Sequence, residues 1–259
     1  LPPLGGSTSA GLPECVDPPT DTAGSGYVRV TTSTEQSDGG LLVPPFLAQV
    51  LIPDYDGTEV YAQSVAAWGS AGVGDADLAI TFSQCEYNEL TGAPNNTVYA
   101  TKPYDPTLEK TIYFHGDPEA GSCLAGPSGA DLPGGFGWLA DPTSTCTVDI
   151  LDSGWYDVST GASASQACKA ALDDLVNAGE PIAIPVFDAK EGTGAGGSYE
   201  LWNSVGFVLT GYRFPGINHN PPCLAPLTCI SGYFVELLSS GGPISDSADQ
   251  GVRVVQLIT

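Results

Sequence analysis

Short runs of apolar residues, separated by turns rich in glycine and proline, recur along the chain. The first run, residues 27–32, alternates β-branched and polar side chains, which predicts a strand with Val28 and Val30 facing inward. Further segments with strand-like patterns are residues 59–68, 78–86, 111–115, 136–139, 147–151, 181–187, 204–214, 233–238 and 252–258. About ten short strands joined by turns predict an all-β, disulfide-braced, β-sandwich-like domain.

Two segments have helical patterns instead. Residues 45–51 begin with prolines, which suit a first helical turn, and stop before Pro53. Residues 166–178 have Ser165 as N-cap and Gly179 as C-cap. The apolar residues of this second helix lie on one face: Cys168, Leu172, Leu175 and Val176. The sequence therefore predicts one or two short helices among the strands.

A glycine-rich stretch separates two strand-like segments in the second half of the chain. Residues 182–187 are apolar without alternation, so we expect a strand that is covered on both faces. Residues 192–197 formally contain GxGxxG, the dinucleotide-binding pattern. The next residues, 198–202, are aromatic and strand-like, so there is no helix N-terminus to hold a pyrophosphate. We interpret the glycines as a mobile hairpin loop.

The beginning of the sequence differs in composition from the rest. Residues 1–26 are rich in proline, glycine, serine and threonine and have no periodic apolar face, which indicates an extended leader or linker. Residues 27–259 are expected to form a single all-β domain. No apolar run approaches the roughly 18 residues that a membrane-spanning helix requires. We therefore expect no membrane span in this chain.

Charge excludes two classes of partner. The 259 residues include 30 Asp and Glu against 7 Lys and Arg, for a net charge of -23. The basic residues are scattered singly, whereas nucleic acids and anionic membranes are bound by clustered Lys and Arg. Neither nucleic acid nor an anionic membrane surface is therefore an expected partner.

The seven cysteines indicate disulfides rather than a metal site. They do not form the close CxxC pairs with nearby histidine that zinc sites use. Disulfides persist in oxidising compartments, so we expect a cell-surface or secreted protein. Because seven is odd, one thiol is left over, and Cys15 is the natural candidate for an unpaired or externally paired cysteine.

Cys223 and Cys229 enclose a tight loop between two strong strands, and we predict that they pair. Closing so short a loop stabilises the fold by roughly 2–3 kcal/mol in the chain-entropy model. Cys123 and Cys146 flank a turn-rich segment and form one candidate pair, which leaves Cys85 with Cys168. Four cysteines allow three pairings, so the other two pairings of these residues stay open.

Three carboxylates surround a glycine turn at Asp54, Asp56 and Glu59. Convergent oxygen ligands of this kind bind calcium, which makes these residues candidate calcium ligands in a calcium-dependent adhesin. The Asp-Gly pair is equally a favoured hairpin turn. Asn95 begins a formal glycosylation sequon. We expect no other cofactor.

Enzyme signatures are sparse. The sequence has no GxSxG elbow, and His115 and His219 lie in no HExxH frame, so we expect no catalytic activity. His115 ends a predicted strand, where it either faces solvent or completes a hydrogen bond. The alternative is a secreted carbohydrate-binding module or glycoside hydrolase, in which exposed aromatic rings stack on sugars. The candidate stacking residues are Trp138, Trp155, Tyr156 and Trp202.

A succession of segments resembles the extracellular part of actinobacterial TadE/TadG-like (Flp-type) pilus-assembly proteins. The similarity extends over about residues 27–238 and keeps the order of the segments. The segments that carry it are VRVTTST at 28–34 followed by residues 62–69, PGGFGWL at 133–139, PVFD at 185–188 with GTG at 192–194, LTGYRF at 209–214 and ISGYFV at 230–235.

The resemblance implies a non-catalytic structural or assembly component of a Tad-like pilus or a related surface appendage. Its partners would be other pilus or cell-surface proteins, or further copies of the same chain. Such proteins are tethered by an N-terminal apolar helix, so a removed anchor is expected here. Some relatives carry the DxSxS metal motif of von Willebrand A domains. The segment from Asp157 to Gly161 lacks the last serine, so that metal site is not expected.

Overall fold

The computed structural model describes residues 25–33, 61–74, 76–115, 117, 122–123, 132–133, 135–139, 146–148, 150, 153–159, 164, 166–192, 197–239, 244–245 and 248–258. The chain divides into two compact units. One consists of Leu1–Ala67 with Gln256–Thr259, and the other of Trp68–Val255. The predicted short helix at 45–51 lies outside the described residues.

Strands dominate the described residues, and the predicted all-β, disulfide-containing fold is confirmed. The strands are β1 (Gly26–Ser33), β2 (Tyr61–Ala71), β3 (Ile80–Ser83), β4 (Lys110–Tyr113), β5 (Ser122–Cys123), β6 (Leu132–Pro133), β7 (Phe136–Leu139), β8 (Gly154–Ser159), β9 (Ile182–Glu191), β10 (Ser198–Phe214), β11 (Ile217–His219), β12 (Cys229–Val235), β13 (Leu237–Ser239), β14 (Ile244–Ser245) and β15 (Val252–Ile258). The helical elements are α1 (Gln84–Thr91), a 3-10 turn (Pro106–Leu108) and α2 (Gln166–Ala178). Within the described residues, no helix is long and apolar enough to cross a membrane.

In the first unit, β1 forms as predicted but its valines do not face inward. Val28 is 50% exposed and Val30 is 54% exposed. Tyr27, on the opposite face of the strand, is exposed as well. An alternating pattern specifies which residues share a face, but burial requires another element to cover that face.

In the second unit, strand pairing closes on itself. β10 pairs antiparallel with β8, β8 with β7, and β7 with β3. β3 then runs parallel to β9, which pairs antiparallel with β10 and completes the ring. A sheet closed in this way has no free edge along the ring, which is the property of a barrel.

The long strand β10 connects this ring to further strands. Its first residues pair with β8, whereas residues 206–213 pair with β12, which in turn pairs with β4. A tight turn then leads from β10 into β11, which folds back antiparallel on it. Helix α2 packs against β10 and β11. The end of β2 pairs with β14, and β13 runs parallel to the start of β15.

Aromatic rings fill the core of the second unit. Phe207 lies edge-to-face against Phe82 and Phe234, each with a ring-centroid distance of 5.1 Å. Phe234 also contacts Tyr87 of α1 edge-to-face, at 5.3 Å. Such pairs stabilise by roughly 0.5–1.5 kcal/mol beyond the apolar area they bury. The apolar strand predicted at 182–187 lies within β9, and its residues are buried or half-buried as expected.

Several predicted elements differ from those observed. The strand predicted at 78–86 ends at Ser83 and is followed by α1, which closes on Gly92 in a left-handed conformation (φ 81°). Tyr87 and Thr91 are buried one turn apart, an i,i+4 signal that favours a helix. Of the strand predicted at 147–151, the described residues form an isolated bridge between Val148 and Ala76. The hairpin predicted around 192–197 is confirmed by the β9–β10 pairing.

Candidate functional site

The outer surface of β8 presents an exposed tryptophan among carboxylates. Trp155 is 45% exposed and lies opposite Glu200 in the antiparallel β8–β10 ladder. Asp157 lies opposite Ser198, whose hydroxyl donates to Asp157 Oδ1 over 3.5 Å. On the other edge of β10, Glu191 of β9 also pairs with Ser198. Directly opposed residues share one face of a sheet, so these five residues form one surface, here called the Trp155 face.

Alternation along two strands creates this surface. In β8, residues 155, 157 and 159 are exposed, while residues 154, 156 and 158 are half-buried. In β10, Tyr199 turns inward and stacks on Phe187 with a ring-centroid distance of 4.1 Å. The inner aromatic packing fixes the strands, so the outer side chains are presented on a rigid support. Trp202 follows Glu200 at a shift in strand register and is half-buried.

The Trp155 face is suited to binding rather than to proton transfer. An exposed indole stacks on a sugar ring or receives an ammonium or guanidinium group against its face. The surrounding carboxylates Asp157, Glu191 and Glu200 add attraction for cationic groups. Because the chain carries a net charge of -23, the long-range field favours the same kind of partner.

A second polar cluster joins α2 to the β10–β11 hairpin. Asp173 Oδ1 accepts a hydrogen bond from the Tyr212 hydroxyl at 2.6 Å. The same oxygen lies 2.9 Å from His219 Nδ1. Lys169, one helical turn earlier, pairs with Asp173 Oδ2. These donors, with Lys169 contributing most, hold the pKa of the Asp173 carboxyl well below its usual range. The ionised carboxylate can only accept, so His219 Nδ1 carries the proton in this contact.

The Asp173 cluster contains an Asp–His pair, a combination that also occurs in catalytic sites. Here Asp173 is hydrogen-bonded to the other side chains of the cluster. The Tyr212 hydroxyl donates to the carboxylate, and burial is the main cause that raises the pKa of this tyrosine, with the adjacent Asp173 raising it further. A tyrosine of raised pKa is a weak acid at neutral pH. The arrangement therefore cross-links helix and hairpin.

Asp173→Asn is expected to lower the free energy of unfolding by about 2 kcal/mol at pH 7, since the charge-assisted hydrogen bonds weaken. The folded-state pKa of Asp173 lies below its unfolded-state value of roughly 3.9. The contribution of Asp173 to the free energy of unfolding is therefore complete above its unfolded-state pKa. It is lost as the pH falls from that value toward the folded-state pKa. Urea unfolding at pH 7 and at pH 3 should show a smaller difference between variant and wild type at pH 3.

The neighbouring Asp174 provides the matched control. Its side chain is exposed and forms no hydrogen bond or ion pair with another residue that the structure describes. Asp174→Asn should change the free energy of unfolding by less than about 0.5 kcal/mol at both pH values. Equal losses in the two variants would show that the Asp173 cluster does not stabilise the fold.

His115 and Tyr199 meet at another part of the barrel. The Tyr199 hydroxyl lies 3.5 Å from His115 Nδ1, and this nitrogen is 3.3 Å from the carbonyl oxygen of Phe136. Burial lowers the pKa of His115, and burial raises the pKa of Tyr199 to about 12. Of the two alternatives for His115, the structure favours the hydrogen-bonded one. The His115 imidazole is thus in contact with the Tyr199 hydroxyl and the Phe136 carbonyl.

The disulfides are partly as predicted. Cys223 pairs with Cys229, with a Cα–Cα distance of 6.3 Å. Cys146 pairs with Cys168 of α2, with a Cα–Cα distance of 4.7 Å. Cys85 is also disulfide-bonded. These cysteines are therefore braces of the fold.

Two predicted pairings are wrong. Cys123–Cys146 and Cys85–Cys168 are both excluded because Cys146 and Cys168 bond to each other. Folding places the segment before β8 against α2, and spacing along the chain does not encode that proximity. Cys15 lies outside the described residues.

The other predicted site residues have different outcomes. The candidate calcium ligands Asp54, Asp56 and Glu59 lie outside the described residues. Elsewhere, no group of three or more His, Cys, Asp or Glu among the residues that the structure describes is placed to hold a metal ion. Of the candidate stacking residues, Trp138 is buried in the core, whereas Trp155 is exposed.

From the sequence alone, Trp155 is only one of several aromatic residues, and Asp173 has no predicted role. Two signals for them are nevertheless present. In GWYDVS, Trp155, Asp157 and Ser159 alternate with Tyr156 and Val158, which is the period of a strand, and in β8 the first three are exposed. On α2, Lys169 and Asp173 are four residues apart, the spacing at which side chains meet on a helix. Comparison of the chain with protein-family models, curated proteins and solved structures found no match.

Proposed function

We propose that this chain is a non-catalytic, extracellular structural or assembly component of a Tad-like pilus or a related bacterial surface appendage. The observation that carries the proposal is the disulfide bracing of the described strands. Cys146–Cys168 ties α2 to the segment before β8, and Cys223–Cys229 closes the loop between β11 and β12. Disulfides persist in oxidising compartments outside the cytoplasm, where they can brace a rigid scaffold.

The polar clusters support a structural role over a catalytic one. Asp173 is hydrogen-bonded by side chains of its own helix and of the hairpin beneath it. His115 contacts a backbone carbonyl and a buried tyrosine. In both clusters the ionisable side chains are hydrogen-bonded within the fold, which favours a structural role over a catalytic one.

The Trp155 face is the contact surface that the proposal assigns to assembly. Its carboxylates repel a second copy of the same face, so direct self-association through it is disfavoured unless cations intervene. A partner subunit with Lys or Arg beside an apolar patch would complement the Trp155 face, because the basic groups would meet its carboxylates and the apolar patch would meet its indole. Trp residues in such surroundings supply a large share of interface energy.

Deleting the gene in the source organism should reduce surface filaments at least tenfold in electron micrographs, and the wild-type gene should restore them. Antibodies against the protein should label the filaments or their bases. Complementation with Trp155→Ala should yield secreted, folded protein but restore few filaments. Leu224→Ala is the matched control, because Leu224 is an exposed apolar side chain (81%) away from β8.

Other outcomes of the same experiment distinguish the alternatives. Unchanged filaments, together with glycan binding that Trp155→Ala abolishes, would replace the proposal with a carbohydrate-binding module. Unchanged filaments with calcium-dependent adhesion of the purified chain would favour the adhesin. Normal restoration of filaments by Trp155→Ala would remove the Trp155 face from the proposal.

A further inference from the structure

A cavity of about 280 Å³ lies at the C-terminal end of α1. Its apolar wall consists of Leu90, Val98, Ala100, Leu108 and Phe234. Phe234 is 3% exposed and is held by edge-to-face contacts with the core aromatic rings. The part of the wall that Phe234 forms is therefore preformed, as small-molecule sites usually are.

The backbone around the cavity already has its hydrogen bonds. Gly92 N donates to Asn88 O at 2.9 Å, and Val98 N donates to Thr91 O at 2.9 Å. Asn96 N donates to Gly92 O at 3.0 Å. The helix end is thus closed by its own loop and offers a ligand little unmet backbone polarity.

Lys110 is the charged residue in the wall of this cavity. Strand β4 fixes its backbone, because Lys110 pairs with Gly232 of β12. No ion pair or side-chain hydrogen bond joins its ammonium to another residue that the structure describes. In a chain with 30 acidic and 7 basic residues, a half-buried lysine without a carboxylate partner among the described residues is unexpected on composition alone.

We propose that this cavity binds a small apolar carboxylate, with its apolar part against Phe234 and its carboxylate at Lys110. A cavity of about 150 Å³ accommodates benzene, so the present volume suits a ligand of roughly ten non-hydrogen atoms. A carboxylate that binds there can form a charge-assisted hydrogen bond with the ammonium, which is stronger than a bond between neutral groups.

Charge makes this site selective within the molecule. The net charge of -23 repels anions in general, so only a local cation can favour an acid over a neutral ligand. An apolar amine of the same size would fit the cavity equally well, but its positive charge would be repelled by the ammonium of Lys110. The cavity is distinct from the Trp155 face, so its test is independent of the assembly proposal.

The probes are 3-phenylpropionate and its neutral isostere 3-phenylpropanamide, titrated into the full chain by calorimetry and by NMR. The expected result is saturable binding of the acid, about tenfold tighter than that of the amide, with shifts at the amides of Thr91 and Ala100. Lys110→Gln should remove this tenfold preference while leaving amide binding within about twofold of wild type.

Two further variants control the experiment. Val98→Trp fills the cavity from a position that is 55% exposed, and it should abolish binding of both probes in a folded protein. Lys102→Gln removes an exposed lysine that pairs with Glu180 and should change neither affinity. Absence of saturable binding by the wild-type chain, or an acid preference that survives in Lys110→Gln, would overturn the proposal.

Discussion

Gly232→Ala is expected to lower the free energy of unfolding by about 3 kcal/mol or more, at or above the upper end of the usual cost of core overpacking. A Cβ at position 232 would overlap the carbonyl oxygen of Val208 and lie 2.5 and 2.6 Å from ring atoms of Phe207. Neither neighbour can move freely, because Val208 is fixed in the β10–β12 ladder and Phe207 packs in the aromatic core. The strands must therefore separate to admit a methyl group.

Gly216→Ala is the control for the effect of glycine replacement itself. Gly216 lies in the turn between β10 and β11 with φ 81°, and nothing lies within 4 Å of the position that a Cβ would take there. Only left-handed backbone strain applies at this residue, at a cost of roughly 1–2 kcal/mol. Urea denaturation of both variants measures the difference. A cost for Gly232→Ala no larger than that for Gly216→Ala would mean that β10 and β12 do not approach as closely as described.

Elements with complete local signals are predictable from the sequence. The pattern predicts helix α2 with its observed bounds, because an apolar stripe and a glycine stop coincide there. Gly179 adopts φ 59° and its N–H donates to Leu175 O, as a C-cap does. The predicted positions of β7 and β15 also agree with the observed ones, since β7 is a short apolar run after a glycine turn and β15 is rich in β-branched residues.

Elements without such signals escape prediction. Helix α1 follows a strand directly and has only two buried side chains, so the strand pattern extends into it. The ring closure through the parallel β3–β9 pair joins residues about a hundred positions apart, which no local pattern specifies. The predicted inward orientation of Val28 is wrong for the related reason that alternation does not identify the covered face.

The candidate sites depend even more on tertiary structure. Trp155 and Glu200 become neighbours only through the β8–β10 register. Asp173 gains its hydrogen bonds from a hairpin that lies about 40 residues further along the chain. Lys110 is visible in the sequence as one of few basic residues, but its place in an apolar cavity is not.

Removal of the Cys146–Cys168 disulfide should cost more stability than removal of Cys223–Cys229. The paired cysteines are 22 residues apart in the first bond and 6 apart in the second. In the chain-entropy model, a bond that closes a longer loop restricts the unfolded chain more, which gives roughly 3.4 and 2.2 kcal/mol at 25 °C.

The measurement compares the double variants Cys146→Ala/Cys168→Ala and Cys223→Ala/Cys229→Ala by urea unfolding under non-reducing conditions. All four sulfurs belong to buried residues, so the void left by alanine adds a similar cost to both variants and largely cancels in the comparison. The disulfide of Cys85 stays intact in both. A larger loss from the short loop would mean that native contacts around β12, rather than restriction of the unfolded chain, determine what these disulfides contribute. In that case the bracing would act on the folded barrel directly, because Cys229 lies within the ladder between β10 and β4.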